Sequence, residues 1–271
     1  MLIDSVIYCG EKDLYKCRLE YLSPVVDQFI VIESKTYHNG EERKNISFED
    51  DFKYHPLRNK IYYKLIDCNE CLSYPEYLNY NGGKNFAREN YQRNYVKNIL
   101  KELGPFNPAD KIIIADVDEI PNIDVLKLYK DKQVISSSKP YAFIGMQMYY
   151  YNHTCKHDGN NFFQTVISHV NYILNCKNIS KQFRKSFHNN VFIHNAGWHL
   201  SYFTSTDNII SKIKHFLHNG WYNDSKYSDP DFINDCIKNK KSLFEDRGDI
   251  LIDDNKCTIP EMFLQFENFG N

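Results

Sequence analysis

The stretch KIIIADVDEIP, Lys111 to Pro121, sets three acids in four residues directly against a run of isoleucine. Ile112, Ile113, Ile114 and Ala115 read as a buried strand. Asp116, Asp118 and Glu119 end it. In open α/β sheets, ligands sit at the carboxyl ends of the strands, so these acids stand where a ligand belongs. On an extended backbone, residues i and i+2 point to one side. That geometry puts Asp116 and Asp118 together and Glu119 opposite. Two hard oxygen donors facing one point suit Mg²⁺ or Mn²⁺, with positions left open for substrate phosphates. The plainer reading is a solvated turn whose acids cap a helix starting at Pro121. The Asp-x-Asp spacing alone does not separate the two.

The segments around this strand give its setting. Leu2–Cys9, Asp27–Ser34 and Lys60–Asp67 read as strands, and EKDLYKCRLEYL between the first two has helical spacing. Phe86–Leu103 reads as a helix closed by Gly104 and Pro105. Tyr141–Asn152 reads as another strand, Asn190–Phe203 as strand plus loop, and Thr206–Gly220 as a helix with Ile209, Ile210, Ile213, Phe216 and Leu217 on one face. Strands alternate with helices over the first 130 residues, which predicts an α/β fold with a mostly parallel central sheet flanked by helices. Beyond Asn152 the order loosens into mixed sheet and loops. No internal repeat and no Pro-, Gly- or Ser-rich linker divides the 271 residues, so one domain spanning 1–271 is expected.

Composition narrows the function classes. Hydrophobic residues make up 42% and charged residues 25%, enough for a sizeable core. The net charge of −2 lacks the basic excess that drives nucleic-acid binding. No run approaches membrane-spanning length, and MLIDSVIYCGEKD has no basic leader region, so neither anchor nor signal peptide is expected. The eight cysteines are scattered, and CNEC (Cys68–Cys71) is a lone pair without a second one. With neither leader nor span, a cytoplasmic (or host-cell cytoplasmic) setting is expected, and scattered cysteines there should stay free thiols.

Two further clusters carry chemistry. Glu89, Gln92, Val96, Ile99 and Leu103 lie on one helical stripe, polar in its first half and apolar in its second, with Arg88 and Arg93 flanking the polar half. Burying Glu and Arg is costly unless they pair or line a cleft. An internal Glu89–Arg93 ion pair is one outcome; arginines serving a diphosphate beside a metal are the other. In HNAGWHLSYF, His194 and His199 flank Gly197 and Trp198. Neutral imidazole can complete a Mn²⁺ shell, and Trp198 offers a flat face to a sugar or base. A buried loop with satisfied histidines is the commoner result for such a stretch taken alone.

Together, GEKDLYKCRLEYLSPVVDQFIVIESKTYHNG, RENYQRN, DVDEIP, HNAGWHLSYF and LFEDRGD resemble, in order and spacing, glycosyltransferase family 17, the β-1,4-mannosyl-glycoprotein 4-β-N-acetylglucosaminyltransferase family. The resemblance implies an inverting transferase on a GT-A-type nucleotide-sugar domain. Its nucleotide-binding half would be about 1–121 and its acceptor-side half about 122–271. It implies UDP-GlcNAc as donor, a glycan acceptor and a divalent metal (Mn²⁺ or Mg²⁺) bridging the diphosphate. Carried over, Asp116 and Asp118 form the Asp-x-Asp. Glu33, Arg88, Gln92, Arg93, Asp116, Glu119 and Trp198 fall to the donor, and Asp116, Asp118, His199 and His194 to the metal, with His199 the favoured added ligand.

Such a transfer must neutralise the leaving diphosphate, hold donor and acceptor in line, and remove the acceptor proton. Glu89, Glu119, Glu245 and Asp246 are candidates for the base, with Asp246 or Glu89 preferred. Competing readings are the same fold with another UDP-sugar, a non-catalytic nucleotide- or carbohydrate-binding module, and a metal-dependent phosphoesterase or nucleotidyltransferase. The last needs further acids at other strand ends, and the strands at Leu2 and Lys60 offer little beyond Asp67.

Overall fold

The computed structural model describes residues 1–78, 83–131, 135–136, 138–159, 161–185, 191–215, 225–244, 251–253 and 256–268. In chain order the strands are β1 (Leu2–Tyr8), β2 (Gln28–Ser34), β3 (Ile61–Ile66), β4 (Lys111–Asp116), β5 (Glu119–Pro121), β6 (Tyr141–Tyr150), β7 (Cys155–His157), β8 (Phe162–His169), β9 (Val191–Ile193), β10 (Gly197–Ser201) and β11 (Leu251–Asp253). The helices are α1 (Lys12–Leu22), α2 (Phe48–Phe52), α3 (Pro75–Leu78), α4 (Gly83–Asn94), α5 (Val96–Leu103), α6 (Ile123–Asp131), α7 (Val170–Asn175), α8 (Ile179–Lys185), α9 (Thr206–His215) and α10 (Pro230–Lys238).

The sheet runs β11-β7-β6-β8-β4-β1-β2-β3. β3, β2, β1 and β4 are parallel. β8 then joins β4 antiparallel, and β6 joins β8 antiparallel. β9 and β10 run parallel to β6. The sheet is thus α/β as read, parallel through β4 and mixed beyond it. Connection length explains the change. The parallel strands are separated by helical crossovers, as parallel pairing requires, whereas only the short β7 excursion separates β6 from β8.

β1, β2 and β4 are buried along almost their whole length, which is why β4 reads as a continuous apolar run, while β3 at the sheet edge is only half-buried between its ends. Ile112, Ile113, Ile114 and Ala115 are all buried. One apolar cluster joins Val6, Val31 and Ile113 to α1 on one face. A second joins Ile3, Ile30, Ile112 and Ile114 to α4 and α5 on the other. The single helix expected over Phe86–Leu103 is two, with Tyr95 between them. Residues 216–220, the expected end of α9, lie outside the described residues. All eight cysteines are free. Among the described residues no helix is long and apolar enough to cross a membrane.

Candidate active site

A cleft of about 1020 Å³ opens at the carboxyl ends of β1 and β4, as the sheet topology requires. Its lining includes Glu11 after β1, Tyr37 and His38 after β2, Glu89 and Arg93 of α4, and residues 116–119 after β4. His199 of β10 and Lys212 and His215 of α9 close the other side.

The turn after β4 is fixed from several directions. Val117 and Asp118 form a turn rather than extended chain, and β5 follows at once. β5 pairs antiparallel with β10, with Glu119 opposite His199 and Pro121 opposite Gly197. Gly197 permits this approach: a Cβ there would collide with the Ile120 carbonyl and stand 3.0 Å from Pro121 Cα. Leu200 N donates to the Asp118 carbonyl at 2.8 Å. From below, the wholly buried Arg18 of α1 forms a fork with Asp4 of β1, Nε to Oδ2 at 2.8 Å and Nη2 to Oδ1 at 2.7 Å. Its Nη1 donates to the carbonyls of Glu119 and, at 3.3 Å, Asp116.

The period-two reading of Asp116 and Asp118 assumed extended backbone, and the turn alters it. Both residues line the cleft, each held by its own cation. Arg93 Nη1 lies 2.8 Å from Asp116 Oδ1, and Arg93 Nη2 donates to Glu89 Oε1 at 2.8 Å. Glu89 and Arg93 thus form the internal ion pair and also line the cleft. Lys212 Nζ donates to Asp118 Oδ2 at 2.9 Å. Burial alone would raise the Asp118 pKa; Lys212 and His199 outweigh it and hold the carboxyl well below the usual carboxylate range. Burial would lower Lys212, yet Asp118 and Glu11 push it above the ordinary amine range. His199 is likewise raised, with Asp118 outweighing burial.

Glu119 does not point away unused. Its Oε2 accepts from the Asp116 backbone N–H at 3.0 Å and from Thr165 Oγ1 at 2.7 Å. Burial and the neighbouring Asp116 raise its pKa. It braces the turn as well as lining the cleft.

The remaining expected residues separate. Glu33, at the end of β2, is fully buried against Arg43 at 2.9 Å and the Tyr63 hydroxyl at 2.8 Å, and is not part of the lining. Arg88 is also absent from the lining: its Nε donates to Asn69 Oδ1 at 2.8 Å and its Nη1 to the His38 carbonyl at 3.2 Å. Gln92 stands behind His38, with its Oε1 2.8 Å from His38 Nε2 and its amide donating to the Ile32 carbonyl at 2.8 Å. Trp198 and His199 point to opposite faces of β10 because strand side chains alternate. His199 therefore enters the cleft, while Trp198 is buried with its Nε1 donating to Thr258 Oγ1 at 2.9 Å. His194 precedes β10 and is exposed against the Phe163 ring, 5.2 Å away, outside the lining. Glu245 and Asp246 lie outside the described residues.

Sequence reasoning missed four contributors. Glu11 lines the cleft, and burial raises its pKa. Arg18 is hidden in an ordinary amphipathic pattern. Lys212 and His215 share a helix face one turn apart, a pattern that usually marks a solvated side. His215 instead stacks on Tyr37 at 3.8 Å and 16°, and its Nε2 lies 3.5 Å from Glu41.

Asp118 and His199 fit a divalent cation. Asp118 Oδ1 and His199 Nε2 are 3.6 Å apart, too long for a hydrogen bond. Two ligand atoms each about 2.1 Å from one ion stand about 3 Å apart or slightly more, so little movement is needed. Among the described residues no three His, Cys, Asp or Glu side chains gather into a metal site. A nucleotide-bound cation needs fewer protein ligands, because phosphates and waters complete its shell.

The family model of glycosyltransferase family 17 matches residues 1–249. The human β-1,4-mannosyl-glycoprotein 4-β-N-acetylglucosaminyltransferase is 30% identical over 152 residues, 52% of this chain and 25% of that protein, and the rat enzyme of the same name matches equally. The match thus spans about a quarter of those relatives' length. Among solved structures, an active-site mutant of LgtC has a TM-score of 0.36 at 12% identity, covering 76% of this chain and 74% of that one. Galactosyltransferase LgtC with donor and acceptor sugar analogues gives 0.36 at 13%, covering 84% and 82%. Superpositions that loose carry nothing further. The match over residues 1–249 is decisive: the chain belongs to glycosyltransferase family 17.

Proposed function

We propose that this chain is a metal-dependent inverting glycosyltransferase that moves N-acetylglucosamine from UDP-GlcNAc to a glycan hydroxyl, on a mannose or related sugar. It does so within one GT-A-type domain, with the nucleotide held by about residues 1–121 and the acceptor by about 122–271. The observation that carries the reading is the turn after β4. There Asp118 and His199 stand 3.6 Å apart at the ligand-binding end of a parallel sheet, in a family 17 chain. The names of the human and rat relatives support the sugar and the acceptor. Eight free cysteines suit a reducing compartment such as the cytoplasm.

Asp118 and His199 would hold the cation, with Asp116 beside them. A bound divalent cation supplies charge neutralisation for the departing diphosphate. The chain's own groups keep the cleft pre-set, so that little reorganisation accompanies transfer. Arg18 fixes the turn, and Arg93 fixes Asp116 and Glu89. A carboxylate clamped by a guanidinium is a weak proton acceptor. Glu89 therefore serves better as the partner of Arg93, and Asp246 is the proposed base for the acceptor hydroxyl.

A panel of nucleotide sugars with Mn²⁺, scored for UDP release, tests the reading. Release from UDP-GlcNAc alone is expected. Equal release from UDP-Glc or UDP-Gal would replace the donor. Tight UDP binding without release from any sugar, with or without mannosyl acceptors, would make the chain a binding module.

A further inference from the structure

Lys212 differs from the other strong cation in the cleft. Arg93 is shared between two carboxylates, Glu89 and Asp116, and its side chain is 9% exposed. Lys212 has one salt-bridge partner among the described residues, Asp118, and its side chain is 36% exposed. Its ammonium also lies over the Tyr202 ring, 5.6 Å from the centroid, and both residues line the cleft. A lysine ammonium is a point charge on a flexible four-carbon stem and can change partner without backbone movement. Asp118 is also the carboxylate best placed to take a divalent cation with His199. A divalent cation at Oδ1 and the ammonium at Oδ2 would share one carboxylate and repel each other.

We propose that Lys212 exchanges partners: its ammonium leaves Asp118 when that carboxylate takes a divalent cation, and then binds the diphosphate oxygens of the nucleotide sugar. This rests on the donor reading given above. Lys212 thus opposes the cation alone and favours the cation with nucleotide. It pairs with Asp118 between turnovers and meets the diphosphate as a charge-assisted donor. No bond is made or broken; only the ammonium changes its hydrogen-bond acceptor.

The two halves of the exchange predict shifts of opposite sign, which a merely structural lysine would not give. Mn²⁺ affinity without nucleotide and UDP affinity at saturating Mn²⁺ are measured by calorimetry on the full chain. Wild type, Lys212→Met, Lys212→Gln and Lys212→Arg are compared. In Lys212→Met and Lys212→Gln, Mn²⁺ alone should bind about tenfold tighter and UDP about tenfold weaker, the usual scale for one charge-assisted hydrogen bond. Lys212→Arg should stay near wild type in both. Shifts of the same sign, no shift in either, or an arginine variant that behaves like methionine would overturn the exchange while leaving the donor reading intact. Wild-type protein that binds neither Mn²⁺ nor UDP would overturn the donor reading and the exchange with it. The glutamine variant keeps the test open if methionine prevents folding.

Discussion

Arg18 holds the Glu119 carbonyl from beneath the turn while the same guanidinium grips Asp4 with two hydrogen bonds. The first helix, the first strand and the acidic turn after the fourth strand are thereby joined through one fully buried side chain. Removing one partner of a buried ion pair strands the other charge, at a cost of about 3–5 kcal/mol. Arg18→Met should therefore lose stability of that order in urea denaturation. Arg18→Lys keeps the charge but not the planar fork. It should fold and still lose affinity for UDP in Mn²⁺, because the turn is no longer held on three sides. Wild-type affinity in Arg18→Lys would mean that the guanidinium serves the core alone.

Asp116 and Asp118 should separate in their effects. Asp118 faces His199 and Lys212, and Asp116 faces Arg93. If the cation and the nucleotide share Asp118, Mn²⁺ with UDP should raise the wild-type melting temperature by more than the sum of the two alone. Asp118→Asn should abolish that excess. Asp116→Asn should reduce it less, since Arg93 retains Glu89. Equal loss in both variants would place the two carboxylates on one ion.

Across the cleft, the Tyr37–His215 stack joins the loop after β2 to α9. Aromatic pairs contribute about 0.5–1.5 kcal/mol beyond their buried area. A double-mutant cycle of Tyr37→Leu and His215→Leu should return a coupling of that size in denaturant melts. A coupling near zero would show that the two elements pack independently.

The strands of the first half were legible because their apolar runs are short and bounded, and Ile112 to Ala115 mark the clearest of them, whereas their order in the sheet was not. The carboxyl end of β4 followed from the same logic. What stayed hidden depended on partners distant in sequence. Lys212 and His215 form a basic helical face, and nothing local distinguishes a face turned to water from one turned to a carboxylate 94 positions earlier. His194 and His199 looked like a pair, yet the turn between β9 and β10 sends only His199 inward. Arg88 and Glu33 carried the charge expected of donor ligands, but Asn69 and Arg43 had already engaged them.

One stability contribution should respond to acid. Asp27 Oδ2 accepts the Leu2 N–H at 2.7 Å, and Asp27 Oδ1 accepts from Lys130 Nζ at 2.8 Å. Partial burial would raise its pKa, but these donors outweigh it and hold the carboxyl below its ordinary value of 3.8. A carboxylate lowered in the folded state stabilises the fold fully above the unfolded pKa, and that stabilisation is lost as pH falls through the folded one. The stability gap between wild type and Asp27→Asn should therefore be constant above about pH 5 and shrink below pH 3.8. Because the Asp27 side chain is 42% exposed, the gap should also narrow in high salt. A gap that widens on acidification would contradict the assignment.

Gly197 sets the position of His199 without touching the cleft. Its strand pairs with β5 so closely that a Cβ would meet the Ile120 carbonyl and Pro121 Cα. Both contacts are backbone, so they cannot be relieved by a rotamer change. Gly197→Ala should push β10 from β5 and cost about 1–3 kcal/mol, the usual penalty of forced overpacking. His199 lies two residues along the same strand, opposite Glu119. The displacement should therefore weaken Mn²⁺-dependent UDP binding beyond what the lost stability explains. Measuring both at a temperature where the variant is fully folded separates the effects. If stability falls while binding is unchanged, the β5–β10 pairing supports the fold but does not position His199.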